Sequence, residues 1–133
     1  MESQFTVAFF EARTLPFSQD VYISGDSYTL DPGYGLSKVD EDAAGSLSAL
    51  FIFHTQDGRL EPLPPAFQEA LRECAPLLSI NAERKSLKDP FLFYARLRFT
   101  PEGWGLISNE FVYSQEKMQA LLRVVDTISR SLG

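Results

Sequence analysis

The chain has 133 residues, 44% of them apolar and 13% aromatic, which suits one domain with a substantial core. Its formal charge of −6 and pI of about 4.7 argue against nucleic acid as a partner, because phosphate backbones demand clustered Lys and Arg. There is no apolar run long enough for a membrane span and no basic-then-apolar leader. The single cysteine, Cys74, leaves no intrachain disulfide and no cysteine-based metal cluster.

These properties predict one cytoplasmic domain over 1–133, without metal or cofactor, whose natural partner is another protein. The charge is unevenly spread. Residues 1–66 carry ten acids and three bases, whereas 67–133 carry eight acids and nine bases. Asp26, Asp31, Asp40, Glu41 and Asp42 fall in one Gly- and Tyr-containing stretch opposed only by Lys38, which points to a surface that meets something.

In chain order, Phe5, Val7 and Phe9 alternate with Thr6, Ala8 and Phe10, predicting a strand apolar on both sides. Val21 to Ile23 and Ser27 to Leu30 form two short extended pieces around Gly25-Asp26, a turn-prone pair suited to a hairpin. Residues 31–46 contain three glycines and four acids without regular periodicity, so a long surface loop is expected there. Leu47 to Thr55 is the most apolar short run and predicts a central strand. Leu47, Ala49, Phe51 and Phe53 lie on one face, with Leu50 and Ile52 on the other.

Pro62, Pro64 and Pro65 lead into a helix, where a missing amide in the first turn costs nothing. Phe67, Ala70, Leu71, Cys74 and Leu78 give it a buried stripe. Phe91 to Phe99, the turn Pro101-Glu102-Gly103, and Trp104 to Ile107 predict a hairpin with one greasy face and one face bearing Arg96 and Arg98. Ser114 caps a last helix with Glu116 in its first turn, and Met118, Leu121, Leu122, Val125, Ile128 and Leu132 form its apolar stripe. The predicted class is α+β, an antiparallel sheet carrying two helices in the order ββ(β)-loop-β-α-ββ-α.

The chemistry on offer is sparse. His54 is the only histidine and ends the apolar strand beside Thr55, Gln56 and Asp57, but nothing in the sequence supplies the oriented partner that acid–base work requires. Cys74 lies on a buried helical stripe and is expected to act as a small hydrophobe. The acids between 26 and 42 do not follow the spacing of a calcium loop, and no glycine pattern forms a phosphate cradle. Tyr22, Tyr28 and Tyr34 beside those acids offer rigid aromatic anchors, so this stretch is expected to dock a basic partner. Arg96 and Arg98, with Arg84, Lys85 and Lys88 upstream, are expected to form a solvated basic face. Eleven phenylalanines are a heavy load, and Phe9, Phe10 and Phe17 suggest a surplus available to a homodimer interface or a groove.

From residue 47 onward the element order resembles the small acidic chaperones of bacterial type III secretion, of the class that binds one effector. The shared pattern is an apolar strand (Leu47 to Thr55), a helix (Pro65 to Cys74), a hairpin (Phe91 to Phe99 and Trp104 to Ile107) and a closing amphipathic helix (Ser114 to Leu132). Residues 1–17 depart from that family, which opens with a leucine-rich helix. The resemblance implies a dimer that holds extended effector segments on apolar patches, and it nominates the exposed members of Phe51, Phe53, Leu97 and Phe99 as a groove.

The expected function is non-enzymatic protein binding, as a chaperone masking an effector segment. The alternative is an immunity protein that neutralises a toxin through Tyr28, Asp31, Tyr34, Asp40, Glu41 and Asp42.

Overall fold

The computed structural model describes residues 6–11, 16–25, 35–83, 91–92, 95–108 and 114–132. Among the described residues there are six strands, β1 (Thr6–Glu11), β2 (Val21–Gly25), β3 (Ser37–Lys38), β4 (Phe51–Thr55), β5 (Arg96–Phe99) and β6 (Gly103–Ser108). They form one antiparallel sheet in the order β1-β6-β5-β2-β4-β3. The helices are α1 (Glu41–Ala44), α2 (Pro65–Leu78) and α3 (Gln115–Ser131), with a 3₁₀ turn over Gly45–Ala49. The α+β class and the strand–helix order after residue 50 agree with the sequence pattern.

Alternation along the strands sorts side chains onto two faces, as a period of two requires. Ile23, Phe53 and Leu97 share one register row and Val21, Phe99 and Trp104 another; all face the helices and are at most 2% exposed. Phe67, Leu71, Cys74 and Leu78 of α2 and Leu121, Val124 and Ile128 of α3 complete the same core. At its centre the Phe99 ring lies 5.4 Å from Phe17, 5.3 Å from Phe67 and 5.7 Å from Trp104, edge-on to the first two and stacked on the third.

Gly25 ends β2 against the last turn of α2. A Cβ there would lie 1.9 Å from the Leu78 carbonyl oxygen, so only hydrogen fits between sheet and helix. Beside it, the Leu92 amide donates to the Leu77 carbonyl at 2.9 Å, which ties the chain to that helix end shortly before β5.

Four expectations are corrected. The stretch after residue 34 is not a plain loop. Asp40 stands at the N-cap of α1, the 3₁₀ turn follows, and Gly45 joins them at φ 63°, where a side chain would be strained. The strand predicted from Leu47 begins at Phe51, because the Leu50 amide bonds back to the Leu47 carbonyl at 3.0 Å and closes the turn first. Over Val21–Gly25, β2 lies between β4 and β5, so these residues have no free edge for a hairpin with 27–30, which lies outside the described residues.

The fourth correction concerns α3. Its buried stripe is Ala120, Leu121, Val124, Thr127 and Ile128, while Met118 and Leu122 are 42% and 56% exposed. Counting Met118 and Leu122 in the stripe rotated the predicted face by part of a turn.

Candidate functional site

Two surfaces carry the polar chemistry, and both begin at β3. The first is acidic. Lys38 ends β3, the Val39 amide bonds to the Phe53 carbonyl at 2.8 Å, and the chain then turns outward into α1. Asp40, Glu41 and Asp42 occupy the N-cap and first turn, all exposed. Their charges suit a helix N-terminus. The Asp40 side chain nevertheless makes no capping bond, and none of the three has an ion-pair partner among the described residues. Asp42 also lines an open pocket together with Leu47, Leu60, Glu61 and Leu63.

The second surface is the sheet face turned away from the helices. In antiparallel pairs, residues in register share a face. His54 is opposite both Lys38 and Tyr22, Tyr22 is also opposite Arg98, and Ser24 is opposite Arg96 and Ile52. The guanidinium carbons of Arg96 and Arg98 lie 5.4 and 5.6 Å from the centre of the Tyr22 ring. Arg96 is only 8% exposed and Tyr22 5%, with Leu36 packed against the tyrosine. The hairpin's basic face is thus partly buried, in contrast to the solvated face expected from charge. The pairing of β2 with β5, which brings Tyr22 onto this face, was not visible in the sequence.

Burial, followed by the charge of Lys38, lowers the His54 pKa below its ordinary value of 6.5. Its neighbours in register are Tyr22 and Lys38, and its Nδ1 has no hydrogen-bond partner among the described residues. Burial likewise pushes the Cys74 thiol up to about 12, against a smaller opposing effect from the Thr127 hydroxyl. A thiol held protonated in the core is no nucleophile.

Comparison with protein-family models, curated proteins and solved structures finds no match in any of the three.

The remaining predicted site residues divide clearly. Phe51, Phe53, Leu97 and Phe99 are 2% exposed or less, so none of them offers a side chain to a surface groove. Each points toward the helices at the inward phase of its strand. Tyr28, Asp31 and Tyr34 lie outside the described residues, as do Asp26 and residues 84–90. Phe17, one of the supposed surplus, is 4% exposed and belongs to the core; the side chains of Phe9 and Phe10 lie outside the described residues.

Proposed function

We propose that this chain is a non-enzymatic protein-binding domain that meets a basic partner through the acidic turn Asp40–Glu41–Asp42. The observation that carries the proposal is three neighbouring exposed carboxylates, unpaired among the described residues, at the N-terminus of a helix too short to need them. Charge held ready in this way speeds encounter with a positive surface more than it stabilises a fold. The open pocket beside Asp42 also includes the half-buried Leu60 and Leu63, which suit an aliphatic stem ending in Lys or Arg. The concrete version is an immunity protein that occludes the basic cleft of a toxin.

The effector-masking chaperone remains the second version, since the order β4-α2-β5-β6-α3 matches its pattern. It needs an apolar groove other than the one expected from the resemblance. Among described residues the large exposed apolar side chains are Ile80, Met118 and Leu122.

The test uses the cognate partner recovered with the chain from its native host. Replacing Asp40, Glu41 and Asp42 with Asn, Gln and Asn should weaken that partner about tenfold or more and flatten its salt dependence. The helix is exposed, so the fold should be retained. Unchanged affinity in the triple variant would sink the acidic-turn mechanism, and loss only in Met118→Ser and Leu122→Ser would favour the chaperone version.

A further inference from the structure

β3 is the shortest strand of the described sheet. It stands at an edge and pairs with β4 alone, Ser37 opposite Thr55 and Lys38 opposite His54. It also carries the acidic turn, because Asp40 caps α1 two residues after Lys38. The Val39 amide bonds to the Phe53 carbonyl, which makes those two residues a hydrogen-bonded pair. The next pair along, Lys38 and His54, is therefore of the other kind, in which antiparallel side chains stand closest and Cα atoms are about 4.5 Å apart.

His54 has little around it to stabilise a charge. An imidazolium donates from both ring nitrogens, and the buried Nδ1 of His54 meets no acceptor among the described residues. On the β2 side it faces the Tyr22 ring, which Arg96 and Arg98 of β5 flank at 5.4 and 5.6 Å. On the β3 side it faces the Lys38 ammonium. Ile52 and Gln56, its same-face neighbours along β4, are uncharged. The nearby acids are occupied elsewhere. Asp40 and Glu41 share an open pocket with Lys38 and offset part of that ammonium, yet no described carboxylate lies within ion-pair distance of the imidazole. Asp57 accepts from the Arg59 amide at 2.9 Å and from the Gln19 side chain at 3.2 Å.

We infer that His54 is a pH-sensitive latch on the acidic turn: its protonation parts β3 from β4 and frees Asp40, Glu41 and Asp42 from their fixed place beside the sheet. Parting the strands takes Lys38 away from the charged ring and lets water reach that side of it. Linkage sets the direction. With its pKa held below 6.5 by burial and Lys38, the docked state binds fewer protons than the parted one. Docking is therefore complete above 6.5 and weakens as pH falls below it. The latch regulates the surface proposed above for a basic partner, and its effect on that partner rests on the proposal.

The test needs no partner, so the latch and the proposed function can fail separately. NMR amide exchange of the labelled full chain, corrected for the intrinsic effect of pH on exchange, reads the protection of the Val39 amide from about pH 8 to about pH 5. The imidazole signals of the only histidine give its pKa in the same samples. His54 should titrate below 6.5, and the Val39 protection should fall about threefold or more in step with it, while the amides between β2 and β5 keep theirs. Lys38→Gln should raise the His54 pKa and shrink the fall, and His54→Gln should abolish it. Lys38 is exposed, so its variant keeps the test decisive if His54→Gln lowers stability. The latch is overturned by a His54 pKa at or above 6.5, by a Val39 protection that stays level, or by a fall that persists undiminished in both variants, which would move the titrating group to the carboxylates of α1.

Discussion

Phe99 and Cys74 show how much of this core rests on single positions. The Phe99 ring touches three other rings and is fully buried, so Phe99→Ala leaves a cavity that neighbours on both layers cannot fill. A loss of about 3–5 kcal/mol is expected, measured by denaturant unfolding. Cys74 gives a chemical counterpart. With its pKa pushed up to about 12 and 1% of its surface exposed, the thiol should react with iodoacetamide at pH 8 far more slowly than a free peptide thiol. Urea just below the unfolding midpoint should restore the reaction, and rapid labelling of the native chain would contradict the burial. The Cys74 placement was legible beforehand because helical phase alone puts it on the stripe with Leu71 and Leu78. Burial of Arg96 was not, since its cover comes from β2, a strand far away in sequence.

Among the elements, α3 offers the sharpest check on phase. Its N-cap was readable, and the Ser114 hydroxyl accepts from the Lys117 amide at 3.1 Å. Its apolar face was only partly readable. Leu121 and Leu122 are adjacent, so composition cannot rank them, yet one is 5% exposed and the other 56%. Leu121→Gln should therefore cost about 2 kcal/mol or more, while Leu122→Gln should fall within about 0.5 kcal/mol of the parent in thermal or urea unfolding. Equal effects would mean that the helix is rotated. The boundaries of β4 failed for a related reason: an apolar run such as Leu47 to Leu50 serves a strand or a tight turn equally well, and Gly45 decides for the turn.

For the whole molecule, sequence patterning conveyed the longer elements, α2, α3 and the β5–β6 hairpin, but neither β3 and α1 within the expected loop nor the order of strands in the sheet. The β5–β6 hairpin was legible because a short Pro-Glu-Gly turn joins its strands. The insertion of β2 between β4 and β5 was not, because antiparallel pairing over long separations leaves no local mark. The candidate surfaces follow the same division. The acidic trio could be read from composition, whereas the outer-face row exists only because four strands align Lys38, His54, Tyr22 and Arg98. The missing side chain at Gly25 has a wider consequence. Where β2 ends and α2 stops, main chain rests on main chain, so the spacing of the two layers at that corner is set by peptide groups. The rest of the core can exchange one apolar side chain for another of similar volume and keep its shape. Position 25 has no such latitude, because even a methyl group would push the end of α2 outward and loosen the anchor that Leu77 gives to Leu92.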